Sequence, residues 1–328
     1  MKRQPLRLSP AMVLMSLLAL VLAAVPALAE PVPVTVSIAP QAYFARRIGG
    51  DKIEVTTMVP PGADAHTFEP KPSQMAALQK ARIYFALGID FEKAWLPRFA
   101  DVNTTMAIVR TDEGIVKMAM VPHAHDHADH DHAAEAGHDH QKETVPAGHD
   151  HAAEAGHGHH DHAGLDPHVW LSPAQVTILA KAMRDALIAA DPGNTDAYRV
   201  GYEALMADVR DLDTRLKAIF APVPPDRRKF MVFHPAWGYF ARQYGLTQVP
   251  VESEGKEPGP AELAALIDQA RKDGITVVFV QPQFSTRSAE VVARGIGGSV
   301  VPVDPLAEDW LANMDKAAAA FQAAMKGK

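Results

Sequence analysis

The sequence predicts an α/β protein of two lobes, each with a mostly parallel sheet, joined by one long helix. Short apolar runs typical of buried strands alternate with helical patterns in both halves of the chain. A helix with a marked start and stop separates the two halves. The 328 residues, 48% of them hydrophobic, suffice for two lobes. We expect lobes at 30–172 and 192–328 and a linking helix at 173–191.

The first half contains three strand-like runs, the second of which is followed by a turn-rich loop. We predict strands within 33–40, 52–60 and 82–88. Helical patterns occupy about 41–48 and 73–81. This alternation is typical of units in which parallel strands are connected by helices.

The second half begins with the predicted linking helix, for which Ser172 is a good N-cap and Pro173 suits the first helical position. "DPG" at 191–193 ends it, and a second helix follows at about 195–220. The alternation then resumes with strands within 229–233, 275–285 and 299–305 and helices near 235–245, 260–274 and 288–298.

The first 29 residues have the pattern of a secretory signal peptide. Lys2, Arg3 and Arg7 form a positive start, residues 11–25 are apolar, and "ALA" at 27–29 fits a cleavage site. No later apolar run is long enough to cross a membrane. The chain has no cysteine, so it has no disulfide, no thiolate zinc site and no lipid attachment through cysteine. We expect a periplasmic protein without a membrane anchor.

A histidine-rich tract at 123–162 holds 13 of the 16 histidines. It also contains six Asp, three Glu and one Lys, and an internal repeat recurs after 19 residues. Its lack of large apolar side chains predicts a disordered insert. The rest of the mature chain is close to neutral, which indicates no nucleic-acid surface.

Only three histidines lie outside the tract: His66, His168 and His234. His66 and His234 follow predicted strands, as does Asp304, and His168 precedes the linking helix. Ligands of open α/β sheets gather beyond the carboxyl ends of strands, so these side chains would meet in a cleft between the lobes. Three imidazoles and a carboxylate suit tetrahedral zinc. Each residue taken alone equally fits an ordinary hydrogen-bonded loop residue, and Asp304 fits a turn.

Longer stretches resemble a known family. "VPPGADAHTFEPKPSQM", "LDPHVWLSP", "FHPAWGYFARQYGL", "EGKEPGPAELAALI", "VFVQPQFS" and "VPVDPL" span nearly the whole mature chain. They are similar to the periplasmic metal-binding receptors of zinc and manganese ABC transporters, most of all the high-affinity zinc-uptake receptors. A histidine-rich insert before the "DPH" motif is typical of the zinc members.

The resemblance implies two α/β lobes joined by a rigid helix, with the metal buried between them. His66, His168 and His234 match the three metal-binding histidines, and Asp304 matches an acidic ligand of many members. His234 favours Zn²⁺ as the transported ligand, because manganese members tend to have a carboxylate there. Ala65 stands where some zinc receptors have a glutamate, so the fourth ligand is either Asp304 or a water.

The resemblance further implies a monomer that delivers zinc to a membrane permease driven by a cytoplasmic ATPase, and that is not an enzyme. One alternative is a zinc hydrolase, because three protein ligands and a water are a catalytic pattern, with Asp304 or Glu257 as general base. The other is a metal store or adhesin that uses the tract. As part of a receptor, the tract would be either a solvated spacer with no role or a low-affinity zinc collector close to the cleft, and its histidine and aspartate content favours the collector.

Overall fold

The computed structural model describes residues 30–120, 164–252 and 256–326. The expected signal peptide and the histidine-rich tract lie outside these ranges. Among the helices described, none combines the length and the apolar character needed to cross a membrane.

The first lobe is built on a four-stranded parallel sheet with the strand order β2-β1-β3-β4. Its strands are β1 Val32–Val36, β2 Ile53–Thr57, β3 Ile83–Ala86 and β4 Ala107–Arg110. The helices of this lobe are α1 Ala39–Gly49, α2 Pro72–Leu78 and α3 Asp90–Val102. The first three strands and the first two helices were predicted from the sequence, whereas α3 and β4 were not.

The second lobe repeats the same topology, with the parallel order β6-β5-β7-β8. Its strands are β5 Lys229–Val232, β6 Thr247–Pro250, β7 Val277–Val280 and β8 Ser299–Pro302. Its helices are α6 Gly238–Tyr244, α7 Pro260–Lys272, α8 Arg287–Gly295 and α9 Trp310–Lys326. In both sheets the strand order reverses between the two central strands. Open α/β sheets bind ligands beside such a reversal, beyond the carboxyl ends of the strands.

Two helices connect the sheets: α4 Pro173–Ala190 and α5 Thr195–Phe220. Ser172 caps α4 by accepting a hydrogen bond from the Gln175 backbone at 3.4 Å, as its sequence position predicted. The helix expected to link the lobes, α4, packs against α1, β3 and β4 of the first lobe. The longer α5 contacts both α1 and α9, so the helix that spans the two lobes is the second one.

The larger of two apolar clusters among the described residues extends through both lobes, and the smaller lies in the second lobe. Trp170, Trp310 and Phe44 are all fully buried in the larger cluster. Trp310 donates from its indole to the Trp170 carbonyl at 2.8 Å, and Trp170 donates to the Pro305 carbonyl at 2.8 Å. Because these side chains join the loop before α4 to the segment after β8, the carboxyl ends of both sheets face a common region.

A short antiparallel pairing closes the base of the histidine-rich tract. Ala119 pairs with Leu165, and the Met120 backbone donates to the Gly164 carbonyl at 2.9 Å. The two chain ends that flank the tract are therefore adjacent, and the second one leads directly into Asp166 and His168.

Candidate metal centre

The three histidines outside the tract are each fixed through their backbone by a polar side chain. The backbone of His66 donates to Asp64 at 2.9 Å, in the loop after β2. His168 donates in the same way to Asp166, also at 2.9 Å. Gln281, at the end of β7, accepts from the His234 backbone at 3.1 Å and donates to its carbonyl at 2.8 Å.

The imidazoles converge on one point between the lobes. His66 Nε2 lies 3.1 Å from His234 Nε2, which in turn lies 3.1 Å from His168 Nε2. One ring nitrogen from each histidine lies within 4.8 Å of the other two. Nitrogens that bind tetrahedral zinc at ~2.0–2.1 Å are about 3.3 Å apart, so the observed spacing fits one zinc ion.

A carboxylate behind each ring fixes the tautomer. His66 donates from Nδ1 to Asp90 at 2.8 Å, and His168 donates from Nδ1 to Asp166 at 2.8 Å. His234 donates from Nδ1 to Glu252 at 2.6 Å. A carboxylate only accepts hydrogen bonds, so Nδ1 carries the proton and Nε2 presents its lone pair to the centre. Lone pairs facing each other at 3.1 Å repel unless a cation lies between them. This imidazole–carboxylate arrangement is the usual support of a metal-binding histidine.

Burial and charge also favour a cation. The side chains of His168 and His234 are buried, and that of His66 is 20% exposed. Burial lowers the pKa of His168 to about 4, despite the opposing hydrogen bond to Asp166. Burial also acts to lower the pKa of His66, but the hydrogen bond and charge of Asp90, with the charge of Asp64, raise it above its ordinary value. The metal-free ring of His168 is therefore neutral and ready to bind at physiological pH.

The hydrogen bond from His66 strongly lowers the pKa of Asp90, and the neighbouring Lys93 adds to this effect against the opposing influence of burial. Asp90 is thus ionised throughout the physiological range. With Asp166 and Glu252, it places negative charge just outside the ring of imidazoles. Such a field attracts a divalent cation and disfavours an anion.

Apolar side chains close the cavity around the imidazoles. Its volume is about 330 Å³ with its mouth included, and its walls include Ala65, Ile89 and Leu306. Phe284 stacks on the His234 ring at 4.8 Å, and Trp170 lies 5.2 Å from the His168 ring. An apolar surround limits access of water to the site and strengthens the electrostatic attraction between a cation and its ligands.

In the described part of the chain, the possible metal ligands that lie within 4.8 Å of one another come from the three histidines, and the Asp304 carboxylate is not among them. Its Oδ1 accepts from Gln283 Nε2 at 2.8 Å and from the Leu306 backbone at 2.9 Å. Gln283 itself lines the cavity, so Asp304 reaches the site through this side chain. Glu257 accepts a hydrogen bond from Ser288 at 3.0 Å and is not among the cavity's lining residues.

The residues that orient the histidines were not predicted from the sequence. Asp166 stands two residues before His168, in "LDPH". Asp90 and Glu252 come shortly after the ends of β3 and β6. The rule that selected the histidines, a polar residue just beyond a strand, would also have selected these two carboxylates once β6 had been recognised.

Comparison with known sequences points to one family. The family model described as "Zinc-uptake complex component A periplasmic" matches residues 34–324. The chain is 29% identical to the high-affinity zinc uptake system protein ZnuA of Bacillus subtilis over 271 residues, 81% of this chain and 76% of that protein. It is 26% identical to the zinc-binding protein AdcA of Streptococcus pyogenes over 282 residues, 84% of this chain but 50% of AdcA.

Comparison with solved structures points to the same family. A crystal structure of ZnuA has a TM-score of 0.76 and 37% identity, covering 90% of this chain and 100% of that one. A ZnuA deletion mutant with zinc bound has a TM-score of 0.76 and 36% identity, covering 91% and 100%. A manganese-bound periplasmic metal-binding protein of Candidatus Liberibacter asiaticus, 20% identical with a TM-score of 0.70, shares the fold over 89% of this chain and 99% of its own.

Proposed function

The chain belongs to the family of periplasmic zinc-uptake components, and we propose that His66, His168 and His234 bind the zinc it carries. Membership of this family makes the chain a zinc-binding receptor of zinc uptake rather than an enzyme. Each histidine gives one Nε2 to the ion. The fourth position lies on the side of Gln283 and Asp304.

One observation carries this proposal: three inward Nε2 atoms at the spacing of a zinc shell, each ring backed by a carboxylate. A histidine kept only for structure gains nothing from having its lone pair turned towards two others. The nitrogen-rich donor set favours zinc over magnesium, calcium or manganese, which prefer oxygen ligands.

Receptors of this type work with an ABC-transporter permease and its ATPase. We propose that this chain is exported through residues 1–29 to the periplasm and delivers zinc to such a permease as a monomer. The division into lobes at 30–172 and 192–328 belongs to the same proposal, with α5 as the helix in contact with both. Asp304 belongs to it as support for the fourth position.

The test uses a chain from which the tract is deleted. Because Met120 and Gly164 are adjacent, a short glycine linker can replace residues 121–163 without disturbing the pairing beside it. Of the 16 histidines this shortened chain retains only His66, His168 and His234, and it has no cysteine. Calorimetric titration with zinc should give one tight site. Replacing any one of the three histidines with alanine should weaken that site at least 100-fold, because a direct ligand is lost.

The same titration separates the receptor from a metal store. The intact protein should show additional weak zinc sites that the shortened chain lacks, since the composition of the 13-histidine tract predicts no packed core, and ordering such a chain around a metal has an entropic cost. A shortened chain without a tight site would identify the tract as the main binding site and refute the assignment. Equal zinc affinity in the three alanine variants and their parent would refute it as well.

A further inference from the structure

We propose that Gln283 completes the zinc site from the second lobe: its amide oxygen accepts a hydrogen bond from a water that occupies the fourth position on the metal. Asp304 is the positioning residue that holds the amide in this orientation. This inference rests on the proposed function, because it takes the three histidines as the other ligands.

Asp304 determines which way the Gln283 amide faces. Asp304 Oδ1 accepts from Gln283 Nε2 at 2.8 Å and from the Leu306 backbone at 2.9 Å. A carboxylate has no hydrogen to donate, so the reversed amide would set two oxygens against each other. The nitrogen of Gln283 must therefore face Asp304, which turns its oxygen to the other side.

That oxygen has no hydrogen-bond partner within the described part of the chain. Gln283 Oε1 is shielded from solvent and accepts no hydrogen bond from any of the residues described. Burying an amide oxygen without a donor is unfavourable, and such atoms are uncommon in folded proteins. The side chain lines the same cavity as the three histidines. An acceptor of this kind fits a donor that arrives with the cargo.

A zinc-bound water is such a donor. Three histidine ligands leave one position of a tetrahedral shell for water. Bound water is polarised by the metal, so its O–H groups donate strongly, whereas the three imidazoles have no acceptor left for them. A hydrogen bond from this water to Gln283 Oε1 would satisfy both groups. It also gives Asp304 a role without direct contact with the metal.

A double-mutant cycle in the tract-deleted chain tests the arrangement. Gln283→Leu removes the oxygen with little change in size, and Asp304→Asn allows the amide to turn. Zinc affinity is measured by competition with a chelator. Each variant should bind zinc about tenfold more weakly, which is the lower end of the effect of residues that orient metal ligands. The double variant should lose little more than Gln283→Leu alone, because both changes break one connection.

The chain offers a matched control on α7. Exposed Gln269 donates to Asp273, the residue that follows the helix, at 2.9 Å, which is the same pair of residue types outside the zinc cavity. Gln269→Leu should leave zinc affinity unchanged. Thermal melting of each metal-free variant establishes that it is folded, and Gln283→Ala replaces Gln283→Leu if the leucine disrupts folding.

A second measurement separates a role at the fourth position from a structural one. In the cobalt(II)-loaded protein, azide competes with water for the open position, and the visible spectrum reports the exchange. Azide has no hydrogen to donate to Gln283 and would be repelled by its oxygen. Gln283→Leu should therefore bind azide several-fold more tightly than the parent, while Gln269→Leu should not.

Three results would overturn the proposal. One is an unchanged zinc or azide affinity in Gln283→Leu. Another is fully additive losses in the cycle. The third is a loss of 100-fold or more in Asp304→Asn alone, which would make Asp304 a direct ligand. Failure of the proposed function is recognised separately, because the parent itself would then lack a tight zinc site.

Discussion

Replacing Glu252 with glutamine is expected to weaken zinc binding by about tenfold while the protein remains folded. Glu252 and His234 are joined by a 2.6 Å hydrogen bond, and their side chains are only 4% and 6% exposed. The glutamine keeps the size of the side chain and can still accept from Nδ1. The substitution therefore removes the charge and leaves most of the packing intact.

The magnitude follows from that burial. A hydrogen bond to an ionised acceptor is roughly twice as strong as a neutral one, and solvent does not screen this bond because both side chains are buried. Replacing the ionised acceptor with a neutral one weakens this hydrogen bond, and the imidazole then gives its electron pair less readily to the metal. The residues behind metal-binding histidines typically contribute 10–100-fold to affinity. We expect the lower end, about 1.4 kcal/mol, because the amide still holds the ring in place.

The assay is a chelator-competition titration of the tract-deleted chain. Glu203 provides the matched control, since it is an exposed glutamate on α5, away from the site, where the same change should leave zinc affinity unaltered. Equal zinc affinity in Glu252→Gln and the parent would refute the role of the carboxylate. An equal loss in Glu203→Gln would attribute the effect to net charge rather than to the contact with His234.

Three further predictions follow from the site and its scaffold. His234→Glu should weaken zinc and favour manganese relative to it in a competitive titration, because an oxygen replaces a softer nitrogen; an unchanged ratio of the two affinities would count against His234 as a ligand. Zinc affinity should fall on acidification, and the loss should start with His66, whose pKa is raised above its ordinary ~6.5. His168, with a pKa of about 4, adds its proton only in stronger acid. A zinc affinity that stays constant from pH 7 to about 5 would contradict this order. Gly201→Ala should lower the free energy of unfolding by about 1–3 kcal/mol, since the added Cβ would lie 2.3 Å from a backbone carbonyl oxygen of α1. The measurement is thermal melting, and Gly193→Ala is the control because a Cβ there would make only an ordinary contact.

Two of the strands that the sequence predicted have a continuous buried run. β3 is buried at all four residues and β7 at three of four, so their composition indicates a strand directly. The edge strand β4 is at least partly exposed along its length, and β6 ends in proline. Neither has the buried run of β3 or β7, which makes them harder to distinguish from loops. Partial exposure alone does not decide the outcome, because β2 and β8 are also partly exposed and were predicted.

The linking helix shows where local sequence is insufficient. The capped start and the stop at 191–193 correctly predicted that two helices lie between the sheets. Which of them contacts both lobes depends on α1 and α9, which are far apart in sequence. Their packing against α5 is a tertiary property, and no local pattern reports it.

The site shows the same division. The sequence pointed to the three histidines because they are the only ones outside the tract and because they occupy comparable positions relative to the sheets. The pairing of Asp304 with Gln283 could not be predicted, since the sequence reports that both follow strands but not which of them lies nearer to the histidines. Only the three-dimensional packing of β7 against β8 determines that order.

Zinc-edge X-ray absorption on the tract-deleted chain, loaded with one equivalent of zinc, tests the central claim most directly. This chain contains only the three histidines and no cysteine, so the imidazole count can be compared with a fixed maximum. The account predicts three imidazole nitrogens at ~2.0–2.1 Å and one further oxygen. A zinc ion with two imidazoles or fewer would contradict it.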